Sequence, residues 1–114
     1  MLIGVPAETR PGETRVAATA ETVKKLVTAG HRVLIESGAG VRAAQTDEAF
    51  KAAGAEIVDA AAALAADLVL KVRSPQAAEL TRMKSGASLV GMLEPFNAEG
   101  ITASGKHGVL EIVI

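Results

Sequence analysis

The stretch Leu2-Ile3-Gly4-Val5-Pro6-Ala7-Glu8-Thr9-Arg10-Pro11-Gly12-Glu13-Thr14-Arg15-Val16-Ala17-Ala18-Thr19 decides how this chain is read. Leu2 to Val5 is a short apolar run of the kind that forms a buried strand. Pro6 stops it, because proline cannot donate to a ladder and biases its neighbour towards extended geometry. The strand therefore runs into a loop holding Glu8, Arg10, Glu13 and Arg15 around a Pro11-Gly12 turn signal. In an open α/β sheet such loops, at the carboxyl ends of strands, are where ligands bind. Arg15 stands out, since a guanidinium holds a carboxylate or phosphate through two parallel hydrogen bonds. The plainer expectation is that Glu13 or Glu8 pairs with Arg10 or Arg15 on a solvated loop.

Downstream, strand and helix signals alternate. Thr19 is an N-cap for a helix with the stripe Val23, Leu26, Val27 that Gly30 ends, with Lys24 and Lys25 outward. Val33-Leu34-Ile35 reads as a second strand. Thr46-Asp47-Glu48 opens a helix that turns Ala49, Phe50 and Ala53 inward and closes at Gly54, before a short strand at Glu56-Ile57-Val58. An Ala-rich helical run from Asp59 to Ala66 precedes the strand Leu68 to Val72, and a helix of about two turns from Gln76 to Arg82 follows it. Ser88 to Leu93, a helix between Asn97 and Ser104, and Val109 to Ile114 complete the series. Strands separated by short helices imply right-handed crossovers, hence an α/β domain with an open, mostly parallel, doubly wound sheet of about six strands and helices on both faces.

Composition narrows the function. The 114 residues suit one small domain, and a chain that is 49% hydrophobic with two Phe and no Trp or Tyr builds its core from small aliphatic side chains. A net charge of -1, with both signs mixed along the chain, argues against nucleic acid. No cysteine is present, so thiol catalysis and thiolate metal sites are excluded. No apolar run nears the ~20 residues of a spanning helix, and direct membrane insertion is not expected. The sequence stops within an apolar strand signal, which suggests part of a larger subunit.

The motif nearest to a nucleotide fingerprint is Gly38-Ala39-Gly40-Val41-Arg42-Ala43, a G-x-G-x-x-A after a strand. Its helix signal waits until Thr46, its strand is the second, and Asp59 caps a helix, so it reads as a tight glycine loop. His31 and His107 are isolated in turns and should face solvent, with no metal spacing around them. Lys71 and Arg73 after the fourth strand, and Glu94 after the fifth, should share a carboxyl edge with Arg15 and could form a cationic pocket. Alternatively, Arg73 and Glu94 pair with each other or with water.

These residues also carry a resemblance. Ile3-Gly4-Val5-Pro6-Ala7-Glu8 with Glu13-Thr14-Arg15-Val16-Ala17, Val33-Leu34-Ile35-Glu36-Ser37-Gly38-Ala39-Gly40, Ala52-Ala53-Gly54-Ala55 and Leu70-Lys71-Val72 resemble the N-terminal domain shared by alanine dehydrogenases and the α subunit of proton-translocating NAD(P) transhydrogenase. By that resemblance, the pyruvate-binding arginine of alanine dehydrogenases falls on Arg15, their pyruvate-binding lysine on Arg73 and their catalytic histidine on Glu94. A carboxylate there lacks the proton switch near pH 7 that alanine chemistry uses. Leu89-Val90-Gly91-Met92-Leu93-Glu94-Pro95-Phe96 is instead similar to the transhydrogenase branch.

The resemblance implies a Rossmann/flavodoxin-like domain of a cytoplasmic subunit, peripheral to the inner membrane through its partners. It would bind NAD(H) and exchange hydride with NADP(H), coupled to proton translocation. Its implied partners are its own NAD-binding domain, a membrane component, an NADP(H)-binding component and a second copy of the subunit. Arg15, Lys71, Arg73 and Glu94 are the candidate cofactor contacts, no catalytic residue or metal is assigned, and this chain by itself should be inactive. The alternatives are an alanine-dehydrogenase-like fragment, or a non-catalytic module that associates through an apolar edge at Leu110 to Ile114. Ala20 replaces a proline usual in that family at the first helical position.

Overall fold

A computed structural model of the chain describes residues 1–73, 75–91 and 110–113. The strands are β1 (Leu2–Val5), β2 (Arg32–Glu36), β3 (Glu56–Val58), β4 (Leu68–Lys71), β5 (Ser88–Gly91) and β6 (Leu110–Val113). The helices are α1 (Ala20–Thr28), α2 (Asp47–Ala52), α3 (Ala60–Leu64) and α4 (Ala77–Leu80). The strands form one sheet in the order β3-β2-β1-β4-β5-β6, and every pairing is parallel. The chain winds outward from β1 in one direction and returns at β4 to wind in the other. The change of direction lies between β1 and β4, where a doubly wound sheet opens a crevice.

Local chemistry sets the helix starts. The side chains of Thr19, Thr46 and Asp59 accept the backbone N–H groups of Thr22, Ala49 and Ala62, each satisfying one orphan donor. The cap at Thr19 is intact with Ala20 as the first helical residue. Helix α4 is shorter than the two turns expected from Gln76 to Arg82. Beyond Thr81 the bonds change to the tighter i to i−3 kind, from Arg82 N–H to Glu79 and from Met83 N–H to Leu80. The expected continuation of β5 to Leu93, the helix at Asn97 to Ser104, Glu94 and His107 lie outside the described residues.

Strand alternation sorts the core into two layers. Ile3, Val5, Val33 and Ile35 pack with Val23 of α1 and Phe50 of α2 on one face. Val69 and Leu89 pack with Leu64, Leu80 and Met83 on the other. Phe50, Ile35, Leu64 and Leu80 are fully enclosed, each contributing about 1.5–3 kcal/mol by leaving water. Gly4 lets α3 lie directly on β1: a Cβ there would sit 1.8 Å from the Ala63 carbonyl oxygen and 3.0 Å from the Ala66 Cβ.

Candidate functional site

The loop after β1 turns back over the sheet through Arg10-Pro11-Gly12-Glu13. The Glu13 N–H donates to the Arg10 carbonyl at 3.1 Å, and Gly12 adopts φ 81°. Proline followed by a residue at positive φ is what a type II turn requires. The turn brings Glu13, Arg15, Val16 and Ala17 against the carboxyl ends of β4 and β5. A cavity of about 330 Å³ opens there, lined by Arg15, Val16, Ala17, Leu70, Val72 and Val90, with Lys71 and Gly91 completing the wall. Its lining is mostly apolar, and the Arg15 side chain there is 55% exposed.

Arg15 does not stand alone. Its Nε donates to Glu13 Oε2 at 2.9 Å and its Nη2 to Glu13 Oε1 at 2.8 Å, a bidentate pair. Glu13 Oε2 also accepts the backbone N–H groups of Thr14 and Arg15, at 3.1 and 3.0 Å. Arg73 Nη1 lies 3.9 Å from Glu13 Oε1. The expected pairing of Glu13 with Arg15 is thus present, but the carboxylate is buried where a solvated loop was foreseen.

The Arg15 guanidinium and the N–H groups of Arg15 and Thr14 hold the Glu13 carboxyl down at about 2, against an ordinary value of 4.5. A depressed carboxylate contributes stability that is complete above its unfolded value and is lost as pH falls through its folded one. Acidification from about pH 4.5 to pH 2 should therefore cost the parent chain more stability than it costs a Glu13→Gln variant. Urea midpoints across that range check this, and parallel curves would contradict it.

Lys71 corrects the expectation of a shared cationic edge. Side chains alternate along a strand, so Lys71 falls with Val69 on the face covered by α3 and α4, whereas Arg15 meets Leu70 and Val90 on the other. The Lys71 ammonium is 1% exposed and donates to Glu8 Oε1 and Glu79 Oε2, both at 3.2 Å. Arg73 is part-exposed near Glu13, with its backbone N–H on Glu8. Arg15 and Arg73 come together. The Lys71 side chain turns instead to Glu8 and Glu79, with Glu8 Oε1 accepting both its ammonium and the Arg73 backbone N–H, and Glu94 lies outside the described residues.

Glu8, expected to pair within its own loop, binds the end of β4. Its carboxylate accepts the successive backbone N–H groups of Val72 and Arg73, each at 3.0 Å, as well as the Lys71 ammonium. Two consecutive N–H groups after a strand form an anion-binding concavity, and here the protein's own carboxylate fills it. Glu8 thereby ties the β1 loop to the end of β4 across the crevice, and the open cavity lies instead towards β5. Glu8 and Lys71 are 63 residues apart, and no local pattern links them.

The glycine loop behaves as a turn. The Gly38 N–H is taken by Asp47, at 3.0 Å to Oδ1, and a Cβ on Gly40 would meet Gln45 O at 2.5 Å and Phe50 Cε2 at 2.9 Å. Gly40 serves internal packing and Gly38, at φ 77°, serves the turn, while a 3-10 turn at Val41–Ala43 stands where a fingerprint helix would begin. His31 is part-exposed, its Nδ1 3.2 Å from the N-terminal ammonium. Among the described residues, no three or more acidic or histidine side chains gather as a metal site, and no helix is long and apolar enough to cross a membrane.

Comparison with known proteins adds the family context. The model of the alanine dehydrogenase/PNT N-terminal domain matches residues 4–112. The NAD(P) transhydrogenase subunit alpha of Cereibacter sphaeroides is 47% identical over 117 aligned positions, covering 100% of this chain and 22% of that protein. The alanine dehydrogenase of Mycobacterium tuberculosis is 47% identical over 95 positions, covering 82% of this chain and 26% of the relative. A solved transhydrogenase from Sinorhizobium meliloti superposes with a TM-score of 0.95 at 37% identity, over 99% of this chain and 34% of that one. The chain thus spans roughly a quarter of the length of the curated relatives, at 22% and 26%.

Proposed function

Because the chain belongs to the alanine dehydrogenase/PNT N-terminal domain family, we propose that it is the first domain of the α subunit of an NAD(P) transhydrogenase, supplying one wall of an NAD(H) cleft. The observation that carries this reading is the pair Arg73 and Glu94. By resemblance, alanine dehydrogenases place a pyruvate-binding lysine and a catalytic histidine there. Transfer of hydride directly between two nicotinamides needs no acid or base from this domain. The identity to a transhydrogenase α subunit along the whole chain supports the same branch.

In this reading Arg15 is the cationic anchor for an anionic group of the ligand, with Arg73 beside it and Glu94 as a further contact. Lys71 supports the loops from beneath. NAD(H), when bound, supplies the hydride; this chain's residues bind and orient it. The glycine fingerprint comes from a separate nucleotide-binding domain, so the 114-residue chain alone is inactive. The remaining partners are an NADP(H)-binding component, a membrane component that couples proton translocation, and a second copy of the subunit. The subunit sits at the cytoplasmic face of the inner membrane, attached through those partners.

The retained Arg15 and the 47% identity to an alanine dehydrogenase favour, as a second reading, an amino-acid dehydrogenase. The full-length gene product with its partners decides between them. NADH-dependent reduction of an NADP⁺ analogue is expected, and NADH oxidation driven by pyruvate and ammonia would overturn the proposal. Titration of the chain with NADH, followed by amide NMR, should shift the loops after β1, β4 and β5. Arg15→Ala should weaken that binding roughly tenfold, the loss of a charge-assisted contact. Unchanged affinity would remove Arg15 as the anchor.

A further inference from the structure

We propose that Glu13 is a positioning residue: it holds the guanidinium groups of Arg15 and Arg73 as one two-pronged anchor for an anionic oxygen pair at the mouth of the cavity. This rests on the reading of Arg15 as the ligand anchor. An arginine on an exposed loop samples many rotamers, and ordering it on a ligand costs conformational entropy. Arg15 is ordered before any ligand arrives. Its Nε and one Nη2 N–H are committed to Glu13, which leaves the two N–H groups of Nη1 and the second of Nη2 for a ligand. Glu13 can hold that position because it is itself fixed by two backbone N–H groups and is only 5% exposed as a side chain.

Arg73 enters through the same carboxylate, with Nη1 3.9 Å from the Oε1 that receives Arg15 Nη2. Its backbone is fixed independently by Glu8. One carboxylate thus gathers two guanidiniums from loops after different strands. The shared ligand chemistry is a pair of anionic oxygens, from a carboxylate or from one phosphate of a dinucleotide.

The two oxygens of Glu13 have different partners, which makes the proposal testable by a conservative change. Oε2 takes both loop N–H groups and Arg15 Nε, while Oε1 faces Arg15 Nη2 and Arg73 Nη1. In Glu13→Gln the amide oxygen can occupy the Oε2 position and keep the loop. The amide NH₂ then opposes two guanidinium donors, so positioning is lost. Binding is to be measured in the full-length gene product with NADH and, separately, with pyruvate, for the parent, Glu13→Gln, Arg15→Ala and the double variant.

The expected result is a loss of roughly tenfold in affinity for Glu13→Gln, with an unfolding midpoint at pH 7 shifted far less than in Glu13→Ala. The double variant should lose less than the product of the two single losses, because both remove the same anchor. A loss confined to NADH identifies the phosphate source, and a loss confined to pyruvate the carboxylate source; either supports the positioning role. If Arg15→Ala weakens binding while Glu13→Gln binds as the parent does, Glu13 merely folds the loop and the proposal falls alone. If Arg15→Ala binds as the parent does, the anchor itself is wrong and both readings fall.

Discussion

Replacing Lys71 with methionine is expected to destabilise the fold by about 3–5 kcal/mol, the usual consequence of removing one partner from an enclosed ion pair. Methionine nearly preserves the volume, so the loss reports charge rather than a cavity. The Lys71 ammonium is 1% exposed and lies between Glu8 and Glu79, whose side chains are 2% and 10% exposed. Two carboxylates share one ammonium, and backbone donors carry the excess charge: Val72 and Arg73 on Glu8, and Gln76 on Glu79. Without Lys71 both carboxylates remain buried and close together. Urea unfolding at pH 7 gives the direct measurement, and a loss below about 1 kcal/mol would show that water reaches the cluster after all. Adding Glu79→Gln to Lys71→Met should recover part of the stability, since it removes one of the two buried charges while the amide oxygen keeps the Gln76 N–H and the amide NH₂ replaces the oxygen that faced Lys71.

Gly4→Ala should cost about 3 kcal/mol or more, at the upper end of what overpacking does. The added Cβ would lie 1.8 Å from the Ala63 carbonyl oxygen, a backbone atom that cannot swing aside as a side-chain tip could. α3 would have to lift from β1, loosening the contact of Leu64 with Val69 and Leu80. Gly12→Ala makes the contrast. At φ 81° with open space around it, it should cost only the roughly 1–2 kcal/mol of a left-handed backbone. Thermal unfolding of the two variants side by side checks the order, and amide exchange in α3 should rise only in Gly4→Ala. Equal losses would mean that α3 does not rest on β1 as closely as described.

The two changes mark different depths of legibility. Gly4 was visible only as an apolar-strand residue, and its role comes from a helix that starts at Ala60. The caps at Thr19, Thr46 and Asp59 were readable because a cap and the N–H it serves lie three residues apart, within one stretch of chain. The glycine loop was rightly read as a turn, from the late helix signal at Thr46. Lys71 was placed on the open edge with Arg15 because both follow or end a strand. Strand parity relative to the covering helices separates them, and parity has a meaning only when the covering helices are known.

The sequence by itself determined the parallel α/β alternation, the helix starts and the Pro11-Gly12 turn. All of these are set by interactions between near neighbours, or by residue types with one dominant chemistry. The tertiary structure alone decided the strand order, the burial of Lys71 between Glu8 and Glu79, the closing of the β1–β4 crevice by Glu8, and the meeting of Glu13 with Arg73. Each joins residues from elements distant in the chain, where the energy of a contact depends on three-dimensional enclosure, and no local spacing records it.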